Sequence, residues 1–342
     1  MPISQRRVYR LASTVALSLV IAYAAGLTLP YLAPILAVVL AAKPAKPISL
    51  QQLLKVVVLL ILTLTTGILV SPVLQHYSWL GFAIVGVGLF LANMLSLRFG
   101  QEALGTLLTV GLALISAAAL YSQALAKLVV FSVVAGVIIA VVSHHLCHWL
   151  FPESGAAPAP QRMTSEDATW KAARATLIIL PAYFLALVNP SAFMPLILKS
   201  GQLGQADSQA ALRRSQIDLL LSTALAGVLA IGLWFGLKLA PVLWFFGLWI
   251  LLFMLFCSAC FYGVRRSRFG AEFWMNAMVT TIILIGPAVA DSANGKDVYQ
   301  AFAIRFLLFL TVTLYAGAAV HVLEHLRKRW VKSDAQSGVL PC

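Results

Sequence analysis

Charged residues are scarce in this chain, and acidic ones scarcer: Asp and Glu together number 11 in 342 residues, and all charged residues make up 10%. A soluble domain has about a quarter of its residues charged, so an ordinary water-soluble fold is excluded. Cysteine is rarer still. Cys147, Cys257, Cys260 and Cys342 make no extracellular disulfide framework, and Cys257 and Cys260 lie inside an apolar run where a thiol behaves as a small hydrophobe. Also lacking are a glycine-rich phosphate loop, a nucleophile with its base and a pair of catalytic carboxylates. No catalytic residue, cofactor or metal is therefore assigned, and the chain is expected not to be an enzyme.

What the chain has instead is apolar sequence: 61% of it is hydrophobic and its mean hydropathy is +0.94. A helix needs roughly 20 apolar residues to cross a bilayer. Such runs fill most of the sequence from Leu11 to His325. They are continuous rather than alternating, which excludes a transmembrane β-barrel. The opening "MPISQRRVYRLASTVALSLVIAYAAGL" has the basic and apolar parts of a signal peptide, but further spans follow at once, so it reads as an uncleaved first span. Spans are expected near 11–29, 31–42, 54–71, 78–94, 103–121 and 126–149, then 171–189, 191–200, 216–237, 241–262, 273–290 and 300–325. The expected fold is all-α and polytopic, about twelve transmembrane helices in two parallel six-helix repeats. Residues 1–151 form the first repeat and 152–170, rich in Pro, Ala and Gly, a cytoplasmic linker. Residues 171–326 form the second repeat and 327–342 a cytoplasmic tail. Ser165, followed by Glu166 and Asp167, suits the start of the next helix.

A net charge of +13 would suggest nucleic acid in a soluble protein. Here the basic residues sit in short clusters between apolar runs, so the partner is the lipid bilayer and no nucleic acid is expected. With both termini cytoplasmic, every one of the 24 Lys and Arg residues falls on the inner side except Lys127, Lys238, Lys296 and Arg305. That sorting obeys the positive-inside rule and needs an even number of spans in each half.

The two halves read as copies. Ala22-Tyr23 with Pro30 matches Ala182-Tyr183 with Pro190, and Pro34 answers Pro195 one residue later. Arg98-Phe99-Gly100 with Glu102 returns as Arg268-Phe269-Gly270 with Glu272, and His144/His148 return as His321/His325. Matches in a common order indicate duplication, and an even number of spans per copy makes the copies parallel.

The segment "RLASTVALSLVIAYAAGLTLPYLAPILAVVLAAKP" resembles the opening repeat of the fusaric acid resistance and aromatic acid exporter family of bacterial inner-membrane proteins. The resemblance is best over residues 6–150. It implies proton-driven efflux of aromatic or related organic carboxylates, beside a periplasmic adaptor protein and an outer-membrane channel. The chain differs from larger members in offering only 152–170 and the tail as cytoplasmic segments. A homo-oligomer stays open.

Within each half the second hydrophobic segment is short and bounded by proline, the pattern that marks a transporter site when it recurs in corresponding places. Pro30 and Pro190 are expected to begin half-helices whose positive ends attract a carboxylate. Tyr23, Pro34, Tyr183, Asn189 and Pro195 complete the expected substrate pathway. The alternative is that the prolines shape outer turns and the tyrosines belong to the aromatic belt. Arg305 lies several residues inside a span and pairs with Asp291 or Asp297, or else snorkels outward. Asp218 carries a proton or pairs with Arg214. Arg98, Glu102, Arg268 and Glu272 either shape the cytoplasmic turns or draw anions toward an inner gate. The His-x-x-x-His pairs either face the interface and the negative helix ends or gather as a metal centre. That leaves two further readings beside export, an intramembrane metal-dependent enzyme and a non-transporting partner in an envelope assembly.

Overall fold

The structure, a computed structural model, describes residues 2–42, 49–153, 165–188 and 209–293, together with part of 303–326. Its elements are helices: α1 (Ile3–Ala24), α2 (Leu32–Ala42), α3 (Leu50–His76), α4 (Ser78–Phe99), α5 (Glu102–Thr109), a π-helical stretch (Val110–Ile115), α6 (Ser116–Tyr121) and α7 (Gln123–Leu150). Then come α8 (Ser165–Val188), α9 (Gln209–Leu239), α10 (Leu243–Phe261) and α11 (Ala271–Ala293). Residues 303–326 are helical wherever they are described.

Among the described residues nine helices are long and apolar enough to cross a membrane. The chain is thus an all-α polytopic membrane protein. Of the other expected spans, 31–42 is the short helix α2, 191–200 lies outside the described residues and 300–325 is described in part. Local chemistry explains several boundaries. Ser49 and Gln52 form a reciprocal capping box at the head of α3, which satisfies two amides that the helix leaves unpaired. Gly100, at φ 67°, closes α4 in the left-handed conformation. α8 begins at Ser165, as its sequence suggests.

The repeated Arg-Phe-Gly motif does not fold the same way twice. Arg98 and Phe99 are the last residues of α4, but α10 ends earlier, at Phe261, and its left-handed glycine is Gly263. Arg268-Phe269-Gly270 follow in an exposed loop ahead of α11, and Gly270 does not adopt a positive φ. The turn after α10 is longer than the turn after α4, and Gly263, not Gly270, has the left-handed conformation that Gly100 has.

Packing between the halves is reciprocal. α1 lies along α10, and α8 lies along α4. Within each half, α3 packs on the α5–α6 segment and α9 on α11. The largest core joins α1, α2, α10 and α11 through Leu11, Leu19, Ile250, Met254 and Met278, among others. A second core joins α4, α6 and α8 through Val85, Leu89 and Tyr183. Outward-facing residues such as Leu62, Leu69, Val228 and Leu252 are exposed, as a lipid-facing surface requires.

Candidate functional site

The α1–α2 hairpin crosses the bundle with a break in its helix. Arg10, near the start of α1, is paired with Glu153, just past the end of α7. The Tyr262 hydroxyl, just past α10, donates to the carbonyls of Ala41 and Ala42 at the end of α2, at 3.3 and 3.1 Å. The start of α1 and the ends of α2, α7 and α10 therefore share one end of the bundle. α2 returns to the end from which α1 set out, so 31–42 cannot be a loop confined to the far leaflet.

Yet α2 has only 11 residues, about 16 Å of helix. That covers half of a hydrocarbon core about 30 Å thick. Its head is set at mid-depth. A Cβ added to Gly136 would lie 3.3 Å from the Ala33 nitrogen and 3.4 Å from its Cα, and Gly136 is the midpoint of the 28-residue α7. The non-helical stretch from Ala25 to Tyr31 runs down to that point, where the Thr28 and Ser132 hydroxyls lie 3.3 Å apart. Irregular backbone at this depth is tolerated only where protein or a cavity surrounds it. The head of α2 carries the positive end of its dipole into the membrane centre.

Pro30 and Pro34, both buried, have parts that differ from the expected ones. Pro30 precedes the helix by two residues and does not begin it, while Pro34 occupies its first turn. There the missing N–H removes no intrahelical bond. Aromatic groups crowd the same place. The Tyr23 hydroxyl donates to the Gly286 carbonyl at 3.3 Å, and its ring meets Phe246 edge-on at 5.5 Å. Tyr31 lies so close to α11 that a Cβ on Gly286 would fall 2.3 Å from its own Cβ.

Tyr183 is the counterpart of Tyr23, placed across the other interface between halves. It is 0% exposed, its hydroxyl lies 3.0 Å from the Ser116 hydroxyl, and its ring stacks on Phe82 at 6.2 Å. Each tyrosine thus bonds to the helical segment that follows an Arg-Phe-Gly motif and touches a phenylalanine of the helix that precedes it. The two rings sit in separate cores and do not flank a shared space, and a fully buried Tyr183 is no belt residue.

The other expected site residues stand as follows. Asn189, Pro190, Pro195, Asp297 and Arg305 lie outside the described residues, as do the side chains of Glu102, Arg214 and Asp291. Arg98, Arg268 and Glu272 are exposed on their turns, with the Arg98 guanidinium 5.7 Å from the Phe99 ring centre. Asp218 is half-buried on α9. His321 and His325 are exposed, whereas His144 is 3% exposed. Among the described residues no three His, Cys, Asp or Glu side chains are grouped to hold a metal.

A charged cluster that the sequence did not single out is built at the shared end of α1, α7 and α10. Arg7 Nε donates to Glu153 Oε1 at 2.7 Å, and Arg7 Nη2 bonds to the same oxygen. Arg10 Nη2 lies 2.7 Å from Glu153 Oε2. The Arg10 side chain is 0% exposed and that of Glu153 only 7%. Burial pushes the Glu153 carboxyl up, but the two arginines outweigh it and hold its pKa below the usual value. Among the described residues Arg10 Nε, Nη1 and Nη2, Glu153 Oε2, and the buried Nδ1 atoms of His144 and His148 have no hydrogen-bond partner, so the Arg10–Glu153 contact is one of charge. The signal was present in the sequence: Arg10, Thr14 and Ser18 recur every fourth residue, and all three are fully buried. Arg10 therefore belongs to a polar stripe on an inward helix face as well as to a basic cluster. Glu153, 143 positions away, carries no local mark.

Residues 7–147 match the sequence profile of a family described as "Protein of unknown function (DUF2955)". The match runs from the head of α1 almost to the end of α7 and ends short of Glu153. No curated protein matches the chain, and no solved structure matches it.

Proposed function

We propose that the chain is a multi-pass transporter of the bacterial inner membrane that exports aromatic or related organic carboxylates against an inward flow of protons. The observation that carries this reading is the head of α2 at the midpoint of α7. A half-helix aimed into the membrane centre is the device by which transporters hold an anionic group. Beside it stand the rings of Tyr23, Tyr31 and Phe246, which suit the flat apolar body of an aromatic acid. The reciprocal packing of α1 on α10 and α8 on α4 supports two parallel repeats around a common axis. The resemblance of the opening segment to aromatic acid exporters points the same way, and adds a periplasmic adaptor and an outer-membrane channel as partners. The reading assigns no reaction chemistry to the chain.

Inverted membrane vesicles containing the protein should accumulate radiolabelled benzoate when their interior is acidified, and a protonophore should abolish the uptake. Vesicles that take up neither benzoate nor cinnamate above the level of protein-free controls would refute the reading.

Orientation follows from the same proposal, with the Arg10 end in the cytoplasm. A cysteine introduced at Arg266 should react with an impermeant maleimide only in inverted vesicles, and one at Tyr77, between α3 and α4, only in intact spheroplasts. Both positions are exposed. Labelling of both from one side would overturn the arrangement.

A further inference from the structure

Arg7, Arg10 and Glu153 bring two guanidinium groups to one carboxylate. A guanidinium offers five N–H donors. Arg10, fully buried, makes one charge contact through Nη2, but neither Nε, Nη1 nor Nη2 has a hydrogen-bond acceptor and Glu153 Oε2 has no donor, so the donors of Arg10 outnumber the single open oxygen that faces them. Leaving donors of a buried cation unmatched is costly. The deficit is an acceptor, and the acceptor already in place is a carboxylate. Close by stand His144 and His148, in the electrostatic field of Arg10, each with a buried Nδ1 free of partners.

Glu153 lies beyond the helix, and its carboxylate meets the arginines through side-chain contacts. α7 ends at Leu150, and Phe151, at φ −127° and ψ 71°, has already left the helical conformation. Glu153 lies two residues further on, so its carboxylate leaves the arginines without breaking a helix hydrogen bond. A structural ion pair built only for strength would be expected to match its donors and acceptors. This one leaves Arg10 short of acceptors and carries its carboxylate three residues beyond the last residue of α7.

We propose that Arg7 and Arg10 form a cytoplasmic carboxylate-binding site which Glu153 occupies as the chain's own ligand, and that a small organic monocarboxylate displaces it. The inference deepens the export reading, on which it rests for its purpose. The seat loads the exported acid at the inner end of the α1–α2 hairpin, and α2 runs from that end to mid-depth. A planar carboxylate fits the planar fork of arginine, whereas lysine offers only a point charge.

The test is equilibrium binding of radiolabelled benzoate to the purified full-length protein in detergent, at fixed ionic strength. Removing an internal competitor that fills the seat most of the time raises apparent affinity by the reciprocal of the free fraction, so Glu153→Gln should bind about tenfold more tightly than the wild type. Arg10→Lys should bind far more weakly, and Lys55→Gln, altered at an exposed lysine outside every candidate site, should match the wild type. Should Glu153→Gln not fold, Glu153→Asp, whose shorter arm cannot span both arginines, should show the same gain in smaller measure. Equal binding by wild type and both Glu153 variants overturns the proposal, as does binding that survives Arg10→Lys intact. Competition by inorganic phosphate or by phosphatidylglycerol nanodiscs as strong as that by acetate also overturns it, since the seat would then accept any anion or a lipid headgroup. The expected binding ratios in a protein that moves no benzoate across vesicles would establish the seat and refute export. Benzoate transport with unaltered binding in the Glu153 variants would do the reverse.

Discussion

Gly111→Ala and Gly67→Ala should each cost the protein most of its folded yield, while Gly232→Ala should leave it unchanged. The reason is a backbone crossing. A Cβ on Gly111 would lie 2.1 Å from the Thr63 carbonyl oxygen, and one on Gly67 would lie 2.0 Å from the Gly111 carbonyl oxygen. Neither obstacle is a side chain that could rotate away, so α3 and the π-helical stretch would have to separate. Between membrane helices, close approach over small residues supplies much of the association energy, because lipid offers no hydrophobic drive to replace it. Overpacking a tight contact costs about 1–3 kcal/mol, occasionally more, and backbone-to-backbone contact belongs at the upper end. Around Gly232 nothing lies within 4 Å, and alanine there gains up to about 1 kcal/mol of helix propensity. Monodisperse yield in size-exclusion chromatography, followed by unfolding in rising SDS, measures all three. Wild-type yield and midpoint for either Gly67→Ala or Gly111→Ala would show that the crossing is looser than its geometry.

That crossing also marks the limit of what the sequence makes legible. Spans follow from composition and length because a bilayer imposes both, so "LQQLLKVVVLLILTLTTGILV" announces α3 without any knowledge of its neighbours. Helix caps are local, and Ser49 with Gln52 is a reciprocal pair three residues apart. The π-helical stretch Val110–Ile115 is neither. "VGLALI" has no feature that separates it from an α-helical run, and its widened turn lies against α3 at Gly67. The short α2 was readable from its prolines and its length. Its depth was not, because depth depends on Gly136, about a hundred residues further on. Tyr23 and Tyr183 were visible as a matched pair, whereas their separate bonding across two interfaces required the contacts of α1 with α10 and α8 with α4. Arg10 was read for its charge alone, since the sequence rule that places cations inside does not distinguish one that points at lipid headgroups from one that points at Glu153.

Gly136→Leu should abolish carboxylate export while leaving the bundle folded. A Cβ at this position would lie 3.2 Å from Leu36 Cδ1, 3.3 Å from the Ala33 nitrogen and 3.4 Å from its Cα. One methyl group is tight but is met by a few tenths of an ångström of movement, so Gly136→Ala should fold and retain most of its export. The rest of a leucine side chain has no such room and must push the head of α2 off α7. The tail of α2 stays anchored, because Tyr262 holds the carbonyls of Ala41 and Ala42. The helix therefore swings about its anchored tail and its positive head leaves the membrane centre. Misplacing a binding group by about 1 Å costs on the order of a hundredfold in rate when the bound geometry is demanding. The proposed carboxylate seat serves as the internal control, since Arg7, Arg10 and Glu153 stand at the other end of the hairpin. Benzoate binding there should persist in Gly136→Leu. Loss of export with binding retained locates the transport fault at the head of α2. Export at the wild-type rate in Gly136→Leu, at matched membrane abundance, would remove the half-helix from the substrate pathway.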